Sequence, residues 1–549
     1  MLRTSAFTRA HVAPLTMSLF AGLVGCKGCG QKPAAEPPER FVDRSAPAIL
    51  ELSDLGAIAR SRQAVVGMMA GLATQAQLDE ATKAMSNDLG FDLTTVEGLA
   101  AAGLPDKGPM AVQLSEGGAM LVVPVIDETK LKAVVSKSVS ARLGATSAER
   151  DANGVKLTVF SRAFGPDTVP VTTYAAKGGL AFIGFGRTSP EVVTAALSLP
   201  AESSIRNHPE YQALDKALGR QGVARVIAPS PGPLRDAILE ALADRMPLQK
   251  ETLKYNPKSA GAVLFADAKE LRVDARVRLA EADLGQARAV FTQKGAIPAS
   301  VGRIGGLPSF LYLEVSGEVR ALLEAAGKED PGFKQELEEG FVQLKEMTGV
   351  DAQKDLIEKF GGHGAIAVGL RDPALLADLE ALRRNPFAAI WTMVGVSFTG
   401  ANAKLYDDAM DKVMAGVPDV KREKQTAADG VVDVLEVPEP KATLHLARMK
   451  DAIILTNDGE RLKEKADGSG ILGGRAGFGA ELRFGPVVAA LGAVNPEAVS
   501  PGAGAIMARG IIEKARGVLA RFDRARATMT LVEDGVAFEG RIVFAPPRS

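Results

Sequence analysis

Leu50-Glu51-Leu52-Ser53 and Leu313-Glu314-Val315-Ser316 are two versions of one pattern. Each alternates apolar and polar residues with a period of two, the spacing of a strand whose side chains go to opposite faces, and each is followed by a long helix-forming stretch. The echoes continue in the same order. Gly90-Phe91-Asp92 matches Gly349-Val350-Asp351, and the run Gly108 to Leu114 matches Gly364 to Leu370. Val123-Pro124-Val125 matches Val394-Gly395-Val396, and Asn153-Gly154-Val155 matches Asp429-Gly430-Val431. The run Leu271 to Val277 parallels Val536 to Ile542. Single matches of this length carry little, but a shared order at a nearly constant spacing is the signature of an internal repeat.

One copy can be read in outline. A strand is expected at 46–52, a helix at 55–85, and a second helix at 94–102 stopped by Gly103. Strands follow at 109–114 and 119–126, then a helix from Glu128 to Leu143 with Leu131, Val134, Val135 and Val139 facing a core. Asn153-Gly154 and Lys177-Gly178-Gly179 are turn signals between strands, and Pro190 sits near a helix start, where its missing N–H costs little. A helix at 234–246 and a hairpin at 260–279 close the copy. Strands joined by tight turns, with helices between groups of them, indicate an α+β fold: two homologous repeats at 46–296 and 307–546, each with a mostly antiparallel sheet and flanking helices.

Composition fits such a body. The chain has 65 Lys+Arg against 66 Asp+Glu and 46% hydrophobic residues, enough to build buried cores. No basic excess points to nucleic acid. Both cysteines, Cys26 and Cys29, lie near the start, so the expected repeats contain no internal disulfide.

Residues 1–25 read as a signal: Arg3 and Arg9, a short run of mostly apolar residues, then Leu23-Val24-Gly25 before Cys26. The run is too short to span a bilayer. Leu-x-Gly-Cys resembles the lipobox of bacterial lipoproteins. That resemblance implies cleavage before Cys26, a diacylglyceryl thioether on its thiol and acylation of the new amino terminus. A Cys-x-x-Cys redox or zinc motif is the competing reading of Cys26 and Cys29, but it lacks a second pair or a βαβ context. Residues 26–45, with Gly28, Gly30, Pro33, Pro37 and Pro38, read as a tether. A Pro-rich segment extends by about 3.1 Å per residue, so roughly 18 residues would reach up to about 55 Å. The whole pattern resembles a domain-of-unknown-function family of exported, duplicated α+β proteins in bacteria, a resemblance that implies a fold and an envelope location but no catalytic residues.

The search for chemistry returns little. His208 and His363 read as exposed turn residues and His445 as a strand residue, with no pair at metal-ligand spacing. Gly468-Ser469-Gly470-Ile471-Leu472-Gly473 fits the dinucleotide fingerprint by letter, but it follows a Lys/Glu-rich helical stretch where the motif needs a strand. The expectation is therefore a non-enzymatic protein without a cofactor, held at the membrane by its lipid. It would bind a partner in the cell envelope as a scaffold or, alternatively, carry a lipid or other hydrophobic ligand in a cavity or inter-repeat groove; an envelope enzyme of unrecognised type is the third reading. Apolar residues on both faces of the strands would mark a carrier; the polar alternation of Lys156, Thr158 and Ser161 leans toward the scaffold. Trp391, the only Trp, is the clearest difference between the copies, and with Phe387 and Tyr406 it is the candidate contact site.

Overall fold

The computed structural model describes residues 36–546 except 57–79, 81–82, 84–85, 87–90, 93–94, 116–117, 231–256, 268, 292–296, 319, 322, 325–326, 328–330, 373–388, 399–402, 418, 428–429, 439–441, 465–469 and 501. Cys26 and Cys29 with the signal-like start, part of the tether, most of the expected helix 55–85, the expected helix 234–246, Phe387, Gly468 and Ser469 lie outside the described residues.

The chain divides into two units between Ala280 and Glu281. Sequence placed that boundary later, between 296 and 307. It falls earlier because the helix Glu281–Val290 is tied to the second unit: the N–H of Glu318 donates to the Val290 carbonyl at 2.8 Å.

Among the described residues the first unit has ten strands: β1 (Ala48–Leu52), β2 (Met110–Ser115), β3 (Gly118–Pro124), β4 (Thr146–Ala152), β5 (Val155–Phe164), β6 (Asp167–Lys177), β7 (Leu180–Phe185), β8 (Ala224–Ala228), β9 (Pro257–Ala266) and β10 (Glu270–Leu279). All these pairings are antiparallel, in the order β4-β5-β6-β7-β3-β2-β1-β8-β9-β10. The β4–β5 turn uses Asn153 (φ 56) and Gly154 (φ 78), the left-handed pair that a two-residue hairpin needs.

Both faces of this sheet are covered. On one, Leu50, Leu52, Met110 and Val112 pack with Leu99 of the helix Val96–Ala101 and Leu131 of the helix Glu128–Leu143. The second of these helices has the bounds expected from sequence. Asp127 caps its start by accepting the Lys130 N–H at 3.0 Å, and Gly144, at φ +60, ends it. On the other face, Ile49, Ala111 and Ile227 pack with Tyr211 and Leu214 of the helix Pro209–Leu218, and Phe182 packs with Val193 of the helix Ser189–Leu197. Burying a side chain such as Leu50 contributes about 1.5–3 kcal/mol.

The second unit has β11 (Leu311–Ser316), β12 (Phe360–Leu370), β13 (Ile390–Phe398), β14 (Lys421–Ala427), β15 (Gly430–Val437), β16 (Ala442–Met449), β17 (Ala452–Thr456), β18 (Gly477–Arg483), β19 (Phe522–Val532) and β20 (Gly535–Phe544). Their order, again antiparallel, is β14-β15-β16-β17-β13-β12-β11-β18-β19-β20, the first unit's order with ten added to every label. Tyr312, Ala365, Trp391, Met393 and Ile454 form its core with Val301 and Ile304, which the short turns before β11 fold over one face.

Strand register corrects part of the sequence alignment. Leu50 lies opposite Val112, and Leu313 lies opposite Ile366. With Leu50 set on Leu313, Val112 therefore falls on Ile366, where the sequence echo had put it on Val368. The two-residue slip keeps every side chain on its own face, so alternation alone could not detect it. At the far end register and echo agree: Val273 lies opposite Leu264 as Phe538 lies opposite Met529.

Candidate functional site

The second sheet is covered unevenly. Along β11, Tyr312, Glu314 and Ser316 are buried, while Leu311, Leu313 and Val315 are only half-buried. The latter face continues across the sheet in register: Leu313 opposes Ile366, Ile366 opposes Val394, Val394 opposes Leu455, and on the other side Val315 opposes Phe478. Every one of these residues is apolar.

The corresponding positions in the first unit, Leu121 apart, are sealed. Val112 is 5% exposed and Ile366 is 36%; Ile183 is 5% and Leu455 is 41%; Ala224 is 2% and Phe478 is 43%. Helices explain the contrast. In the first unit Leu99 and Leu131 descend into the sheet. In the second, the helices Pro331–Thr348 and Ala403–Gly416 pack on each other, and their only buried side chains among the described residues are Thr348 and Ala409. Phe333, Val342, Met347 and Val413 on these helices are themselves exposed.

At its β14–β16 end the apolar face runs into charge. Asp433, fully buried on β15, accepts from Arg422 Nε at 2.7 Å, and Arg448 Nη2 lies 3.6 Å from its other oxygen. Asp407 and Asp411 of the helix Ala403–Gly416 pair with Arg448 at 2.8 Å and with Arg422 at 2.5 Å. Counting register outward from β11 puts Asp433, Arg422 and Arg448 at the places of Thr158, Ser147 and Ala176, none of which is charged. The neighbouring pair is reversed in sign: Lys132 meets Glu149 in the first unit, and Asp407 meets Lys424 in the second. So the second unit has an ionic helix seat where the first has an uncharged one. This lets the helix stand on the sheet without filling the apolar row beside it.

Glu51 and Glu314 share a position on the central strands but differ in partners. Glu51 takes the Tyr211 hydroxyl at 2.6 Å and pairs with Arg225 of β8. At the Arg225 position the second unit has Gly479, and Ile471 packs there. Glu314 instead accepts the N–H groups of Ile471 at 2.5 Å and Leu472 at 3.3 Å, with the Tyr312 hydroxyl at 3.2 Å. Burial raises the Glu314 pKa above its ordinary value; the hydrogen bonds only partly offset this. The same contacts explain the Gly-rich segment. The described part of it is a loop before β18, and two of the N–H groups that could have met a phosphate are held by this carboxylate.

Of the proposed contact residues, Trp391 and Tyr406 are not brought together, and Phe387 lies outside the described residues. Trp391 is fully buried in the core of the opposite face, above Gly369 and under the Arg461 guanidinium at 5.2 Å. An apolar ring enclosed by its own fold is not a contact surface, so the sequence expectation for Trp391 is corrected. Tyr406 lies on the apolar face beside the charge cluster, with the Arg448 guanidinium 4.3 Å from its ring centre; burial, then Asp433, pushes its hydroxyl above the ordinary phenol range. His363 is also corrected: it is a buried residue of β12, its N–H donating to Ser397 Oγ at 2.9 Å. His208 caps the helix Pro209–Leu218 by accepting the Glu210 N–H at 3.1 Å. Burial lowers the pKa of His445. No group of three or more His, Cys, Asp or Glu among the described residues could hold a metal ion.

Sequence reasoning missed the apolar face and the charge cluster. The signal for the second was present: Val431-Val432-Asp433-Val434 carries a carboxylate inside an apolar run.

No family model and no curated protein matches this chain. Two solved structures, crystal forms I and III of TP0453, are similar to it over 45% of this chain, covering 81% and 82% of theirs, at 9% and 10% identity and TM-scores of 0.25 and 0.26. So slight a likeness transfers neither fold nor function.

Proposed function

We propose that this chain is a lipid-anchored, non-enzymatic binding protein of the bacterial cell envelope, built from two units descended from one by duplication, whose second unit carries a lipid or other hydrophobic ligand. The observation that carries the ligand reading is the row Ile366, Leu455 and Phe478: apolar side chains left more than a third exposed, where the matching row of the first unit is sealed. Burying such a row beneath a ligand is worth about 25 cal/mol per Å² of apolar area. This exposed apolar face favours the carrier over the scaffold toward which the sequence leans. Duplication is supported by the shared strand order, and anchoring by the lipobox-like run before Cys26.

Mass spectrometry tests both parts. The mature chain is expected to begin at Cys26 with diacylglyceryl and acyl mass added, and Cys26→Ser to accumulate as unprocessed precursor. An organic extract of the purified protein is expected to contain an apolar compound in near-stoichiometric amount. An empty extract, together with failure to bind any added acyl chain, would return the protein to the scaffold class.

A further inference from the structure

The helical hairpin between β18 and β19 presents a second apolar surface, separate in sequence from the sheet face. It consists of the helices Phe484–Ala493, Pro496–Val499 and Ala503–Leu519. The first has no charged residue, and the last packs against it. Ala505 of the last helix is buried and Ala508, Ile512, Ala515 and Leu519 are half-buried, which fixes the inward side. On the outward side, Ile506 is 79% exposed, Met507 73%, Ile511 64% and, at the end of the short helix, Val499 51%. Large apolar side chains so fully in water normally mark a surface that something covers.

Arg509, Lys514 and Arg516 lie on the same helix, and Glu497 and Glu513 are the only acids from 484 to 519. Apolar residues at the tip with cations alongside are the arrangement of a segment lying in a membrane interface. The hydrocarbon side chains enter the acyl region, and the long basic ones reach back to phosphate. A second copy of the chain would set these cations against one another, whereas an anionic headgroup layer neutralises them. Nine residues lie between Cys26 and the first described residue, Glu36, so the proposed acyl anchor would keep the chain close to that layer.

We infer that the hairpin Phe484–Leu519 docks on an anionic lipid bilayer through Val499, Ile506, Met507 and Ile511, with Arg509, Lys514 and Arg516 on headgroup phosphates. The inference rests on the envelope location proposed above, but not on the ligand face. A chain anchored only by its acyl groups would be free to rotate; this contact would hold it in one orientation.

Met507→Trp in the full chain is the test, with buried Trp391 as the constant background. On adding phosphatidylglycerol-containing vesicles, the added emission is expected to shift to the blue and to lose about half its intensity when the acyl chains are brominated. Replacing phosphatidylglycerol by phosphatidylcholine should weaken the effect, and adding Ile506→Ser with Ile511→Ser should abolish it. Emission that stays that of a water-exposed indole in the presence of vesicles would overturn the inference. So would emission that is already blue without vesicles and depends on protein concentration, which would identify a second copy as the occupant. The acyl anchor is read separately, from whether the protein floats with vesicles at all, so the two failures are distinguishable.

Discussion

Ala224 and Phe478 hold the same register position beside the central strands of their units, opposite Leu52 and Val315, and only Ala224 is sealed from solvent. The first unit has a small buried residue here, and the second a large aromatic one left 43% exposed. Keeping that much of an aromatic ring in water costs solvation, a cost that a ligand covering the face would offset.

Phe478→Ser and Leu455→Ser should therefore weaken binding of an apolar fluorescent probe by about tenfold each, corresponding to ~1.4 kcal/mol, while changing the unfolding free energy by less than about 1 kcal/mol, since neither side chain is buried. Probe titration beside urea melts reads both. A loss of stability with unchanged binding would make the row an ordinary, loosely packed core.

Glu314 gives a pH signature. Its pKa is raised in the folded state, chiefly by burial, so the native protein holds this proton more tightly than the unfolded chain does. Its stabilising contribution is largest below the ordinary glutamate value and is lost as pH rises through the raised one. Glu314→Gln removes that dependence. The stability of the variant relative to the parent should rise with pH across that window and level off above it, as measured by urea melts at a series of pH values. A difference that falls with pH would show that the Ile471 and Leu472 N–H groups outweigh burial.

The Asp433 cluster should be non-additive. Asp433→Thr, which installs the first unit's residue, leaves Arg422 and Arg448 half-compensated in a buried site and should cost about 3 kcal/mol. Adding Arg422→Ser and Arg448→Ala removes the uncompensated charge, and most of the loss should be recovered despite two further substitutions. If the triple variant loses the sum of its parts, the cluster is a stabilising network rather than a replaceable helix seat.

Much of the fold was legible because its signals are local. The alternation at Leu50 to Leu52, the Asn153-Gly154 turn and the capped helix Glu128–Leu143 each follow from a few neighbouring residues, and the repeated order of such segments follows from them. The β2–β12 register was not legible, because a slip of two preserves alternation. Nor was the open face: an apolar strand residue such as Leu313, Ile366 or Leu455 is written identically whether its face is covered or open. Trp391 misled for the same reason, since a large aromatic is written identically whether it fills a core or faces a partner.

The ligand face is tested most directly with a photoreactive acyl chain, bound to the full-length protein, cross-linked and mapped by peptide mass spectrometry. The account predicts adducts on Ile366, Leu455 and Phe478 and none on Val112, Ile183 or Ala224, with labelling suppressed by excess unmodified acyl chain. Equal labelling of both units, or adducts confined to sites other than these strands, would contradict it.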